Sequence, residues 1–139
     1  MLVKEIMTKP VITIEYDKTI FDACEKYRDY KIGCLIITKN SECVGIVTER
    51  DIIERTICKK IDPNKTQIKD IMTFDIETVH ELNTVEDVIK IMKEKNIKKL
   101  PVIKNDDIVG IITVTDITRA KPEFSKRFIN SWVKPEWED

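Results

Sequence analysis

Two stretches of this 139-residue chain carry residues that can do chemistry at a fixed spacing. They are Gly45-Ile46-Val47-Thr48-Glu49-Arg50-Asp51 and Gly110-Ile111-Ile112-Thr113-Val114-Thr115-Asp116. Each reads Gly-x-x-Thr-x-x-Asp. A glycine ending a strand lets the backbone come close to a ligand. A threonine at a helix start lies beside free backbone amides and the positive end of the helix dipole, which favour an anion. Its hydroxyl can cap the helix or reach a ribose or phosphate oxygen. An aspartate three residues on is stabilised by the same dipole. Its two oxygens can accept from two neighbouring ribose hydroxyls, and hydrogen bonds to a charged group contribute about 1.5–3 kcal/mol each. The same spacing also makes a capping box that needs no ligand. Taken alone, the two stretches leave both readings open.

Other residue types offer less. Cys24, Cys34, Cys43 and Cys58 form no Cys-x-x-Cys pair, and His80 is the only histidine, so no metal site is expected. The cysteines read as small buried thiols of a reducing compartment. His80 aligns with Glu15 of the first copy described below, far from either Thr-x-x-Asp, and reads as solvent-facing. No nucleophile–base set can be assembled, and no catalytic residue is expected. Arg50 and Arg119 can reach phosphates or pair with nearby carboxylates, and the sequence leaves both open. The 24 basic and 25 acidic residues nearly cancel, to a net charge of −1. No long basic run offers a nucleic-acid footprint. No apolar stretch approaches the ~20 residues of a membrane span, and the start lacks a signal-peptide pattern, so a cytoplasmic location is expected.

The elements that position the two stretches come from an internal repeat. Lys4-Glu5-Ile6-Met7-Thr8 returns as Lys69-Asp70-Ile71-Met72-Thr73, and Val44-Gly45-Ile46-Val47-Thr48 as Val109-Gly110-Ile111-Ile112-Thr113. One register also pairs Thr13 with Thr78, Thr19 with Thr84 and Asp22 with Asp87. In each copy a β-branched strand, Val11-Ile12-Thr13-Ile14 in the first, precedes a capping-box-like start at Thr19 or Thr84. Ile20, Ala23, Cys24 and Tyr27, like Val85, Val88, Ile89 and Met92, follow the spacing of an amphipathic helix and read as core. Two strands joined by a polar turn follow, Lys39-Asn40-Ser41-Glu42 or Lys104-Asn105-Asp106-Asp107. A second helix opens near Thr48 and Thr113. The order is β-α-β-β-α, twice, a mixed α/β (α+β) fold. Residues 1–66 form the first copy with its linker, 67–121 the second, and 122–139 a C-terminal helical extension. In that extension Phe124, Phe128 and Trp132 fall on one helical stripe between Pro122 and Pro135. The stripe suits packing on its own module or contact with a partner.

A unit of this size buries too little surface alone. Two can pack sheet to sheet about a pseudo-two-fold axis, leaving two clefts, and ligands favour such interfaces. The tandem unit resembles the CBS-domain family, as one Bateman-type module. The resemblance rests on Ile-Met-Thr at each start, Lys98-Lys99-Leu100-Pro101-Val102, and the two Gly-x-x-Thr-x-x-Asp stretches. It implies a regulatory module, not an enzyme, that binds AMP, ADP, ATP or S-adenosylmethionine, requires no cofactor and signals to an effector protein. It also implies two clefts that join copies. The first combines Thr48, Arg50 and Asp51 with Thr73, Ile76, Thr78, Lys98 and Lys99. The second combines Thr113, Thr115 and Asp116 with Thr8, Val11, Thr13, Gly33 and Cys34. Aliphatic side chains and backbone amides around Ile76 or Val11 would hold adenine.

Two further expectations follow. Lys98 and Lys99 align with Gly33 and Cys34, so the Thr48–Asp51 cleft should prefer phosphorylated ligands and weaken with salt. The other cleft suits a nucleoside or S-adenosylmethionine. Ile52, Ile53 and Ile57 make a wide apolar face for a short helix, and such modules pair through these helices, so a homodimer is expected. A ligand-free assembly module is the rival reading.

Overall fold

A computed structural model describes residues 1–126. A short helix α1 (Val3–Ile6) leads into β1 (Thr13–Glu15), α2 (Ile20–Tyr30), β2 (Cys34–Lys39), β3 (Glu42–Thr48) and α3 (Glu49–Ile52), which continues as a π-helical turn Ile53–Ile57. A 3-10 turn at Ile68–Asp70 leads into β4 (Val79–His80), α4 (Val85–Lys95), β5 (Lys99–Lys104), β6 (Asp107–Thr113) and α5 (Val114–Ala120), with a last 3-10 turn at Pro122–Phe124. Each copy builds a three-stranded sheet, β1-β2-β3 or β4-β5-β6, with one parallel and one antiparallel pair. The β-α-β-β-α order thus appears twice.

Local chemistry accounts for the elements. Thr19 and Thr84 accept from the backbone amides of Asp22 and Asp87, whose carboxylates accept in return from the threonine amides. The Thr84 amide holds the Asp87 carboxyl below its ordinary range. Left-handed residues Lys31 and Asn96 end α2 and α4. The polar turns are two-residue hairpins with positive φ at Asn40 and Ser41 and at Asn105 and Asp106, the geometry that matches strand twist. Strand β1 starts later than expected. Its parallel pairing begins at Thr13 opposite Ile36, and Ile12 contributes only a carbonyl, accepting from the Ile36 amide at 3.2 Å.

The chain divides into two compact units whose limits are offset from the repeat. One is Val11–Ile76; the other combines Met1–Pro10 with the chain from Glu77 onward. The lead-in of each copy therefore completes the other copy's body. In the discontinuous unit, Val3 is buried with Val85, Val88, Ile89, Met92, Leu100 and Ile117. Its amide donates to the Asn83 carbonyl at 2.9 Å. In the continuous unit, Ile68 and Ile71 join Ile14, Ile20, Leu35, Ile37 and Val47. The apolar face expected on the second helix of the first copy is divided. Ile52 is buried, whereas Ile53 and Ile57 are 55% and 63% exposed. Phe124 packs on the core of the discontinuous unit. Phe128, Trp132, Pro135 and Trp137 lie outside the described residues.

Candidate functional site

Both Thr-x-x-Asp stretches fold as complete capping boxes. Thr48 Oγ1 accepts from the Asp51 amide at 3.1 Å, and Asp51 Oδ2 accepts from the Thr48 amide at 2.9 Å. Thr113 and Asp116 repeat these distances. One oxygen of each carboxylate is therefore committed to its own backbone. The other oxygen is engaged differently in the two copies. Asp116 Oδ1 accepts from the Thr8 hydroxyl at 2.9 Å, and Asp116 is buried. Asp51 Oδ1 lies 3.4 Å from Arg55 Nη2. Arg55 Nη1 also donates to the Ile71 carbonyl at 2.8 Å and to Thr73 Oγ1 at 2.9 Å. Each carboxylate oxygen has a second lone pair, so ribose hydroxyls would share these oxygens with protein donors and not find them vacant.

The glycines serve the lead-ins. A Cβ on Gly45 would sit 2.6 Å from Met72 Sδ and 2.9 Å from the Thr73 carbonyl oxygen. On Gly110 it would sit 2.6 Å from Met7 Sδ and 3.2 Å from the Thr8 carbonyl oxygen. The close approach expected of a ligand is made instead by the methionine and threonine of each Ile-Met-Thr. Backbone pairing fixes the same contact. Thr73 exchanges hydrogen bonds with Ile46 at 3.0 Å each way, and Thr8 with Ile111 at 2.8 and 3.0 Å. The lead-in thus delivers the Thr8 hydroxyl to the Asp116 carboxylate directly, whereas Arg55 links the Thr73 hydroxyl to Asp51.

Within the continuous unit the structure gathers Thr48, Asp51 and Thr73. Cys34, buried, pairs with Thr48 across β2 and β3, and the Gly33 carbonyl accepts from the Glu49 amide at 3.4 Å. Val11 and Ile76 lie half-buried at its two ends, and Thr13 is exposed on β1. Arg50 turns to solvent and pairs with Glu54 at 2.7 Å, its side chain 83% exposed. The discontinuous unit gathers Thr8, Thr113 and Asp116, with Thr115 exposed on the first turn of α5. Lys99 pairs with Thr113 in the sheet, and the exposed Lys98 accepts from the Val114 amide through its carbonyl at 3.0 Å. Thr78 is half-buried just before β4. Each expected cleft therefore draws its residues from both units.

Arg55 was not anticipated. It lies four residues after Asp51, on the same helical face, and aligns with Ala120; that break in the repeat was the available signal. Tyr27 backs the first box by donating its hydroxyl to the Val47 carbonyl at 2.6 Å. Burial, then Cys34, Asp51 and Glu49, push its phenol well above the ordinary range, which keeps it a donor. Burial likewise raises the half-buried Cys24 and Cys43 thiols, but of the four cysteines expected to be buried only Cys34 is, and Cys58 is exposed. His80 Nδ1 accepts from the Leu82 amide at 3.1 Å in a turn. A groove of about 360 Å³ runs beside α2, lined by Ile14, Lys18, Asp22, Glu25, Lys26, Asp29 and Tyr30. It holds no residue of either box, and its mostly charged walls lack the apolar lining of a small-molecule site. Among the described residues no cluster of His, Cys, Asp or Glu could hold a metal ion. No helix among them is long and apolar enough to cross a membrane.

Comparison with known proteins places these features in a family. The CBS domain model matches residues 3–57 and 68–123. A protein of Methanopyrus kandleri is 32% identical over 122 residues, which cover 86% of this chain and 62% of that relative. The chain spans 64% of a second relative's length. Among solved structures, the CBS domain pair of the protein MJ0100, in complex with 5-methylthioadenosine and S-adenosyl-L-methionine, is 33% identical with a TM-score of 0.76, covering 88% of this chain and 97% of that one. A hexameric CBS-CP12 protein from bloom-forming cyanobacteria is 32% identical with a TM-score of 0.80, covering 94% of this chain and 78% of that one.

Proposed function

The chain belongs to the CBS-domain family as a tandem pair, a regulatory module, and on that footing we propose that it binds adenosyl ligands and passes their occupancy to an effector protein in the cytoplasm. The observation that carries this reading is the duplicated box, in which a threonine and an aspartate at a helix start are joined to a second threonine on a lead-in, directly at Asp116 and through Arg55 at Asp51. Hydroxyls and carboxylates so fixed suit the paired hydroxyls of a ribose. In this reading the ligand-binding residues are those assigned above from the resemblance. Lys98 and Lys99 then serve the ligand at Asp51. The bound adenosyl compounds of the MJ0100 domain pair support the ligand class. AMP, ADP and ATP are the nucleotide candidates, and S-adenosylmethionine is the alternative. No catalytic step is involved.

Ligand binding to the folded state alone should raise stability by about 2.7 kcal/mol at a hundred times the dissociation constant. Melting and calorimetry with AMP, ATP, S-adenosylmethionine and 5′-methylthioadenosine test this. An unchanged midpoint and no heat with all four would sink the ligand reading.

A second reading, assembly without ligand, is favoured by the exposed Ile53 and Ile57. Adjacent exposed isoleucines are candidates for an interface, and we propose that they form a homodimer contact in either reading. Light scattering at micromolar concentration should give twice the chain mass, and Ile53→Lys with Ile57→Lys should give one. A monomeric wild type, with and without ligand, would refute it.

A further inference from the structure

The two boxes match at threonine and aspartate but differ in the charge beside the carboxylate. Arg55 joins Asp51 Oδ1, the Ile71 carbonyl and Thr73 Oγ1, holding the last two at 2.8 and 2.9 Å. The aligned residue in the second copy is Ala120, and there Thr8 donates directly to Asp116. The Asp51 box therefore carries a neutral ion pair, whereas among the described residues the Asp116 carboxylate is met by hydroxyl and amide donors only. A ribose hydroxyl that shares Asp51 Oδ1 with Arg55 leaves Nη1 anchored on two oxygens. The guanidinium charge then stays beside the carboxylate that would hold the ribose. Its planar fork suits phosphate oxygens.

We propose that Arg55 is a specificity-determining residue, which makes the Asp51 box favour an anionic, phosphorylated adenosyl ligand and leaves the Asp116 box to an uncharged or cationic one. The inference rests on the adenosyl reading above. It is separate from the role given to Lys98 and Lys99, which belong to the other unit. The Arg55 side chain is 39% exposed, so water and salt screen it. One charge at about 6–8 Å in such a setting changes affinity about three- to tenfold.

The test uses an Asp116→Asn chain, which keeps an oxygen to cap α5 and leaves Asp51 as the only charged box. Calorimetry compares AMP, 5′-methylthioadenosine and S-adenosylmethionine with arginine, lysine or alanine at position 55. With Arg55→Ala, AMP should weaken about three- to tenfold relative to 5′-methylthioadenosine, and S-adenosylmethionine should gain by a similar factor. Arg55→Lys keeps the charge and should retain most of the AMP preference. Equal changes for all three ligands with Arg55→Ala would overturn the proposal. So would an alanine variant that melts like its parent and keeps its ligand ratios. If the wild-type chain itself binds none of the three, the adenosyl reading fails and the role of Arg55 with it. If the wild type binds but the ratios stay fixed, only Arg55 is wrong. Should alanine unfold the chain, the lysine variant decides: loss of AMP preference despite the kept charge rejects the electrostatic role.

Discussion

Replacing both Asp51 and Asp116 with alanine should remove adenosyl-ligand binding at concentrations that saturate the wild type. Each single change should weaken its own box about ten- to a hundredfold, the loss of one charge-assisted hydrogen-bonded pair. The geometry separates binding from folding. Each carboxylate also accepts from the backbone amide of its threonine at 2.9 Å, so alanine removes a helix cap as well, at about 0.5–2 kcal/mol. Asp116 carries more of this structural load, being buried and bonded to Thr8. Asparagine separates the two roles: it keeps an acceptor for the cap while removing the charge. Asp51→Asn and Asp116→Asn should therefore melt closer to wild type than the alanine variants yet bind poorly. A double alanine variant that binds AMP and S-adenosylmethionine as the wild type does would end the ribose assignment.

Gly45→Ala and Gly110→Ala should each destabilise the fold by about 1–3 kcal/mol, the usual cost of overfilling a packed site. The added methyl would come within 2.6 Å of a methionine sulfur in either case. The sulfur sits on a flexible side chain and can yield in part. At Gly45 the Thr73 carbonyl oxygen stands 2.9 Å away and is held by its pairing with Ile46. Gly45→Ala should therefore be the costlier change. Met72→Ala combined with Gly45→Ala should recover part of the loss, which a double-mutant cycle reads as a coupling energy. Denaturant melts of both variants within 0.5 kcal/mol of wild type, a threshold set by ordinary surface changes, would show that the lead-ins do not need the glycines.

The repeat made the element order legible, because local spacing carries it. Thr19, Thr48, Thr84 and Thr113 each sit three residues before an aspartate, and all four make reciprocal capping boxes. The turns at Asn40-Ser41 and Asn105-Asp106 were equally local. What escaped the sequence depends on contacts between distant segments. Nothing in the spacing of Gly45 says that Met72 fills the space above it, and only the resemblance set Thr8 beside Asp116, 108 positions away. A glycine beside a box fits a ligand or a methionine equally well until the lead-in is placed. The role of Arg55 was hidden for the same reason. Its pairing with Asp51 is local, but its anchors on Ile71 and Thr73 come from the next copy's lead-in.

The exchange of lead-ins gives the two units different folding histories. The unit Val11–Ile76 is continuous, and its lead-in contact from Arg55 to Thr73 closes only 18 positions. It can form as the chain is made. The other unit must bring residues 1–10 back to a box completed at Asp116, across 108 positions. Loop-closure entropy makes that link costlier by about 1.6 kcal/mol, and long-range contacts slow folding. Residues 1–10 therefore wait, with the apolar side chains of Leu2, Val3 and Ile6 uncovered, until the second copy has emerged. A chain whose synthesis has passed Ile76 but not the second box would hold one finished half and one apolar strap without its seat.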